Sequence, residues 1–187
     1  QKAEEGAEAA AALKERKQDL EADPDDPVMG NPTGAITMVE FFDYRCGYCK
    51  RVFPTVMKVL NDNPSVRYVI KEFPILGPES VTASRASLAV WRTQKAKYGA
   101  FHAAVINLRG GIPEAKILSV ATQLGIDAKQ LKKDMADPAI DRILEKNYQL
   151  AQALNINGTP AFVIGGKLVP GAIDAATMNR MIAESGR

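Results

Sequence analysis

At 187 residues the chain is long enough for one full hydrophobic core with an appendage and too short for two ordinary domains. Its 46% hydrophobic and 25% charged composition and net charge of +2 exclude the basic footprint of a nucleic-acid binder and a polybasic membrane anchor, and no apolar run of about 18 residues is present to span a bilayer. It starts at Gln1 and not at Met, which fits a processed or trimmed product from which any signal peptide would already be gone.

Residues 2–22 are rich in Ala, Glu, Lys and Leu and read as one exposed helix, with only Gly6 against it. Leu13 and Leu20 stand one heptad apart, with Ala9 or Ala10 in the alternate seam, so copies of the segment could associate as a short coiled coil. Residues 1–22 are therefore an expected oligomerisation stalk. Asp23-Pro24-Asp25-Asp26-Pro27 stops the helix and opens a hydrophilic linker over 23–34, which ends in the turn Asn31-Pro32-Thr33-Gly34. A globular unit is expected over 35–187.

Ala35 to Asp43 is strand-like and too continuously apolar for a one-sided sheet, so a central strand is expected. Glu40 interrupts the run. Burial would disfavour its charged form and make it a proton relay near Cys46 and Cys49; the bland alternative is a carboxylate that reaches solvent at a strand edge.

Directly after this strand stands Cys46-Gly47-Tyr48-Cys49, which holds both cysteines of the chain. Residues three apart at the start of a helix share a face, so the sulfurs can open and close a disulfide. Unpaired N–H groups and the positive end of the helix dipole favour a thiolate on Cys46. Cys46 is the expected nucleophile and Cys49 the resolving partner. A zinc site would lack ligands, since only His102 could join the pair, and no metal site is expected. A static crosslink closing so short a loop would stabilise the fold little, so the pair makes more sense as chemistry than as a staple.

Val52, Phe53, Val56, Met57 and Leu60 then recur at helical spacing through an internal Pro54, and Val66 to Phe73 returns as a strand, giving a βαβ unit with parallel pairing. Lys71 could lie close to Glu40 if the two strands are neighbours. From Glu79 to Leu154 the pattern is helical throughout, and His102 reads there as a partly buried structural histidine. Asn157-Gly158-Thr159-Pro160 leads into a strand, Gly165-Gly166 turns a hairpin, and Asp174 caps a last helix. A cis X-Pro bond at Pro160 has a place in that tight turn.

The cysteine pair at the start of the first core helix, Pro54 five residues after Cys49, the late Thr159-Pro160 opening a hairpin, and a helical insertion between the βαβ and ββα halves together resemble the DsbA-like thiol oxidoreductases of the thioredoxin superfamily. The resemblance implies an α/β thioredoxin fold, with its core at about 35–73 and 156–187, an inserted helical domain at about 78–154, and an N-terminal helix ahead of it. By the same resemblance Cys46 forms the mixed disulfide and Cys49 resolves it. Pro160 is cis beside the pair, the Thr159 backbone pairs with bound peptide, Glu40 is the buried acid, and Lys71 is its partner. No cofactor is implied.

Gly47-Tyr48 departs from the Pro-His of typical DsbA oxidases and resembles the dipeptide of DsbC-type isomerases. A helix and acidic proline linker ahead of such a domain is similar to the suppressor-of-copper-sensitivity C (ScsC) proteins, bacterial periplasmic relatives that can assemble as trimers. The implied function is a periplasmic disulfide isomerase or reductase acting on misfolded or oxidised proteins, kept reduced by a membrane DsbD-like donor and oligomeric, as a trimer, through residues 1–22, with no nucleic-acid partner and no membrane insertion. Two alternatives stand beside it: a monomeric dithiol oxidase, and a protein that binds Cu(I) through two soft thiolates.

Overall fold

The computed structural model describes residues 2–187. In chain order the elements are α1 (Lys2–Glu15), α2 (Lys17–Glu21), β1 (Val28–Gly30), β2 (Ile36–Phe42), α3 (Gly47–Asp62), β3 (Val66–Glu72), α4 (Pro78–Thr93), α5 (Lys95–Ile106), α6 (Glu114–Gln123), α7 (Ala128–Asp134), α8 (Pro138–Ala153), β4 (Ala161–Ile164), β5 (Lys167–Pro170) and α9 (Ala175–Ser185). The strands form one mixed sheet in the order β1-β3-β2-β4-β5. The apolar β2 is central, parallel to β3 and antiparallel to β4, as a strand buried on both faces should be. No helix among the described residues is long and apolar enough to cross a membrane.

Alternation along the strands divides the core in two. Met38, Phe42, Tyr68, Ile70, Phe162 and Ile164 face α3, α9 and the helical insertion, while Val39, Phe41, Val69 and Val163 face the other way. The Gly165-Gly166 turn has both residues at positive φ, the conformation a two-residue hairpin needs, and the Asp174 carboxylate accepts from Thr177 N to cap α9.

The N-terminal segment departs from the sequence expectation. Instead of one free helix there are two, broken at Arg16, and Leu13 and Leu20 are buried with Val39, Phe41 and Val69 of the same chain. The sheet face opposite the cysteines is apolar and needs cover, and these leucines supply it. In this chain both leucines pack on its own sheet. Gln1, the first residue of the expected stalk, lies outside the described residues.

The 23–34 stretch is likewise no free linker. Its β1 adds an antiparallel edge to β3, and Asp26, 2% exposed, pairs with Lys71, 1% exposed, at 2.5 Å. Burial pushes Asp26 up to about 7, opposed by the ammonium of Lys71. Lys71 also donates to the Asp19 carbonyl in α2, so one buried cation ties strap, connector and sheet together.

Candidate active site

The turn from β2 to α3 delivers the cysteine pair. Cys46 is the N-cap of α3, in extended backbone conformation, and its sulfur accepts from Cys49 N at 3.3 Å. An N-cap is where helical N–H groups lack partners, so a sulfur placed there is offered donors without competition. Both cysteines are free thiols; Cys46 keeps 6% of its surface and Cys49 none. The outer sulfur is the one a disulfide can reach.

The two thiols are driven apart in acidity. A hydrogen bond from the Cys49 thiol is the largest influence on Cys46; with Thr159 and the N–H groups of Cys49 and Tyr48 it outweighs burial and brings Cys46 down to about 6. Burial pushes Cys49 far above the ordinary thiol range, and its own bond to Cys46 and the nearby Glu40 add to this. The result is a Cys46 thiol that ionises readily beside a Cys49 thiol that keeps its proton.

Glu40 lies on the same side of the sheet as the cysteines. It is fully buried, which raises it to about 8; the Tyr68 hydroxyl, donating to Oε1 at 3.0 Å, opposes that rise and the Cys46 thiolate adds to it. Lys71 is not its partner. Glu40 is in register with Ile70 and Phe41 with Lys71, so the lysine points to the opposite face and finds Asp26. A residue count of two back from Ile70 reaches Tyr68, and the register of the strand pair is the signal that would have found it.

The Thr159–Pro160 bond is cis, and it sets the Thr159 carbonyl 3.3 Å from the Cys46 sulfur, where the protonated thiol donates to it. Cys46, Cys49, Thr159 and Pro160 are thus brought to one place, with Glu40 behind Cys49. Asp43 is a site residue that the sequence alone does not single out. Its buried carboxylate accepts from Arg45 N, Ile75 N, Leu76 N and Ser80 Oγ at 2.7–3.0 Å, and its carbonyl accepts from Cys46 N. Tyr48, 61% exposed between the cysteines, carries no charge toward them and stacks under the Arg51 guanidinium.

Residues 37–183 match the family model of the DSBA-like thioredoxin domain. Among solved structures, a thioredoxin-like oxidoreductase from Silicibacter pomeroyi is 40% identical with a TM-score of 0.87, over 91% of this chain and 97% of that one. The catalytic domain of Proteus mirabilis ScsC is 30% identical with a TM-score of 0.87, over 94% and 97%. A curated relative, the Na(+)/H(+) antiporter NhaA 3 of Salinispora tropica, is 27% identical over 176 residues, 88% of this chain and 27% of the antiporter. The chain thus spans about a quarter of the length of the first curated relatives it matches.

Proposed function

The chain belongs to the DSBA-like thioredoxin-domain family of thiol-disulfide oxidoreductases, and from that premise we propose that it exchanges protein disulfides as an isomerase or reductase. The observation that carries this reading is the dipeptide between the cysteines: Cys46 caps α3 with its sulfur accepting from Cys49 N, and Gly47-Tyr48 offers that sulfur no cationic side chain, where a histidine would stabilise a strongly oxidising thiolate.

In the proposed cycle the Cys46 thiolate attacks one sulfur of a client disulfide. The client S–S bond breaks, a mixed disulfide forms, and the second client sulfur leaves as thiolate, free to attack elsewhere in the client. Release by Cys49 requires that Cys49 first lose its proton. Forming the mixed disulfide removes the negative charge on Cys46 that raises Glu40, so Glu40 ionises more readily at the moment a base is needed and takes the Cys49 proton. The Cys49 thiolate then attacks the Cys46 sulfur, the mixed disulfide breaks, the Cys46–Cys49 disulfide forms, and the client sulfur leaves as thiolate. Thr159 and cis-Pro160 would hold the client backbone against the pair. The periplasm is the proposed compartment and a DsbD-like membrane donor the proposed source of electrons, both by likeness to the ScsC group.

Equilibration with glutathione tests the direction of the chemistry. A potential nearer the thioredoxin value of about −270 mV than the DsbA value of about −120 mV is expected, together with recovery of scrambled ribonuclease that disappears in Cys46→Ala. A potential at the DsbA end would favour an oxidase. Undiminished recovery in Cys46→Ala would end the proposal altogether.

A further inference from the structure

A polar cluster unused by the exchange chemistry lies between the sheet and the helical insertion. Tyr44, two residues before the nucleophile, is completely buried, and its hydroxyl lies 2.6 Å from Ser87 Oγ on α4 and 2.7 Å from His102 Nδ1 on α5. His102 packs against the rings of Phe42, Phe53 and Tyr98, and burial pushes its pKa down to about 3. A hydroxyl both donates and accepts, so Tyr44 can serve Ser87 Oγ and His102 Nδ1 at once. One hydroxyl is thereby locked between two helices of the insertion.

The thiolate has reason to need that lock. The Cys46 sulfur accepts from Cys49 N, a donor placed by backbone geometry, and that contact at 3.3 Å weakens with small displacements. The loop from Asp43 to Cys46 is held from one side by three donors to the Asp43 carboxylate from residues 75–80, while Arg45 N closes onto the same carboxylate within the loop. Tyr44 ties it from the other side, to α4 and α5. The two anchors are consecutive residues, and Cys46 is the first sulfur beyond them.

We propose that Tyr44 is a positioning residue for Cys46: its hydroxyl, shared between Ser87 and His102, fixes to the helical insertion the loop from which the nucleophilic sulfur projects. This rests on the reading of Cys46 as the nucleophile, which the wild-type protein checks separately: a midpoint for alkylation near the ordinary thiol value of about 8.5 would remove that reading before any variant is made.

The test is the rate of iodoacetamide alkylation of the reduced protein against pH, measured with the melting temperature for wild type, Tyr44→Phe, Ser87→Ala and the double variant. In Tyr44→Phe the midpoint for Cys46 is expected to rise by about half a pH unit, which is about threefold less thiolate at pH 5. Ser87→Ala, which leaves every ring in place and serves if Tyr44→Phe does not fold, is expected to move the midpoint the same way. The double variant should move it no further than Tyr44→Phe alone, because both changes break one shared arrangement. A folded Tyr44→Phe protein with a lower melting temperature and the wild-type profile would make Tyr44 merely structural and overturn the proposal. So would a double variant in which the two shifts add.

Discussion

Burial sets the protonation of three side chains sealed inside the molecule, and their shifts have opposite consequences at the two ends of the pH scale. Glu40 and Glu72 are both raised by burial from an ordinary 4.5 to about 8, and His102 is lowered by burial from 6.5 to about 3. For the acids the folded state holds protons that the unfolded chain releases above 4.5. Their contribution is therefore complete below 4.5 and lost as pH climbs toward 8. For the histidine the unfolded chain takes up protons that the folded state refuses, so stability present above 6.5 is lost as pH falls toward 3. Glu72 is the acid to change, since no thiol is among the groups that shift it, although Ser84, Ser87 and Tyr44 oppose its rise. Its Oε2 accepts from Ser84 Oγ at 2.7 Å, while Oε1 has no hydrogen-bond partner among the described residues. An ionised carboxylate with one bare buried oxygen is costly, and an amide keeps the Ser84 bond without the charge. Melting curves of reduced Glu72→Gln should fall less between pH 5 and pH 8 than those of the parent protein. A parallel fall in both would show that Glu72 is not the group that titrates.

At the scale of elements, α3 both presents the Cys46 sulfur and is anchored through the residue after Cys49. The Lys50 ammonium, half-buried, donates to the carbonyls of Ile106 at 2.9 Å and Leu108 at 2.8 Å, at the C-terminal end of α5 where the helix dipole favours a cation. Lys50→Met keeps the stem and removes both charged donors. It should cost on the order of 2 kcal/mol and lower the melting temperature by roughly 4–8 °C, read by calorimetry. A change within the error of the scan would mean that water satisfies those carbonyls as well. Such elements are largely legible in the sequence, because their causes are local: the apolar run of β2, the 3.6-residue period of α3, the paired glycines of the hairpin, the Asp174 cap. The cysteine pair is legible for the same reason, as spacing and a helix start are written in adjacent residues. Partners set by register are not. Whether Glu40 meets Lys71 or Tyr68 depends on a one-residue offset between strands 28 or 31 positions apart, and no local pattern states that offset.

The whole molecule shows the same division on a larger scale. Residues 2–22 read as a separate stalk because strong helix formers and two leucines a heptad apart look alike whether the leucines meet a second copy or the chain's own sheet. The prolines at 24 and 27 read as a boundary, yet they border the buried pair of Asp26 and Lys71. What decides between the two arrangements is the apolar face of β2 and β3 turned away from the cysteines, which α2 covers through Leu20. Residues 2–11 of α1 are exposed and offer alanine, glutamate and lysine but no large apolar side chain. An associating helix would have nothing substantial to bury on that surface. Light scattering should therefore give the mass of one chain, and Leu20→Ala should destabilise that single chain by about 2–5 kcal/mol, in a denaturation midpoint independent of protein concentration. A threefold mass, with a midpoint that rises with concentration, would place Leu13 and Leu20 between copies and dismantle the strap.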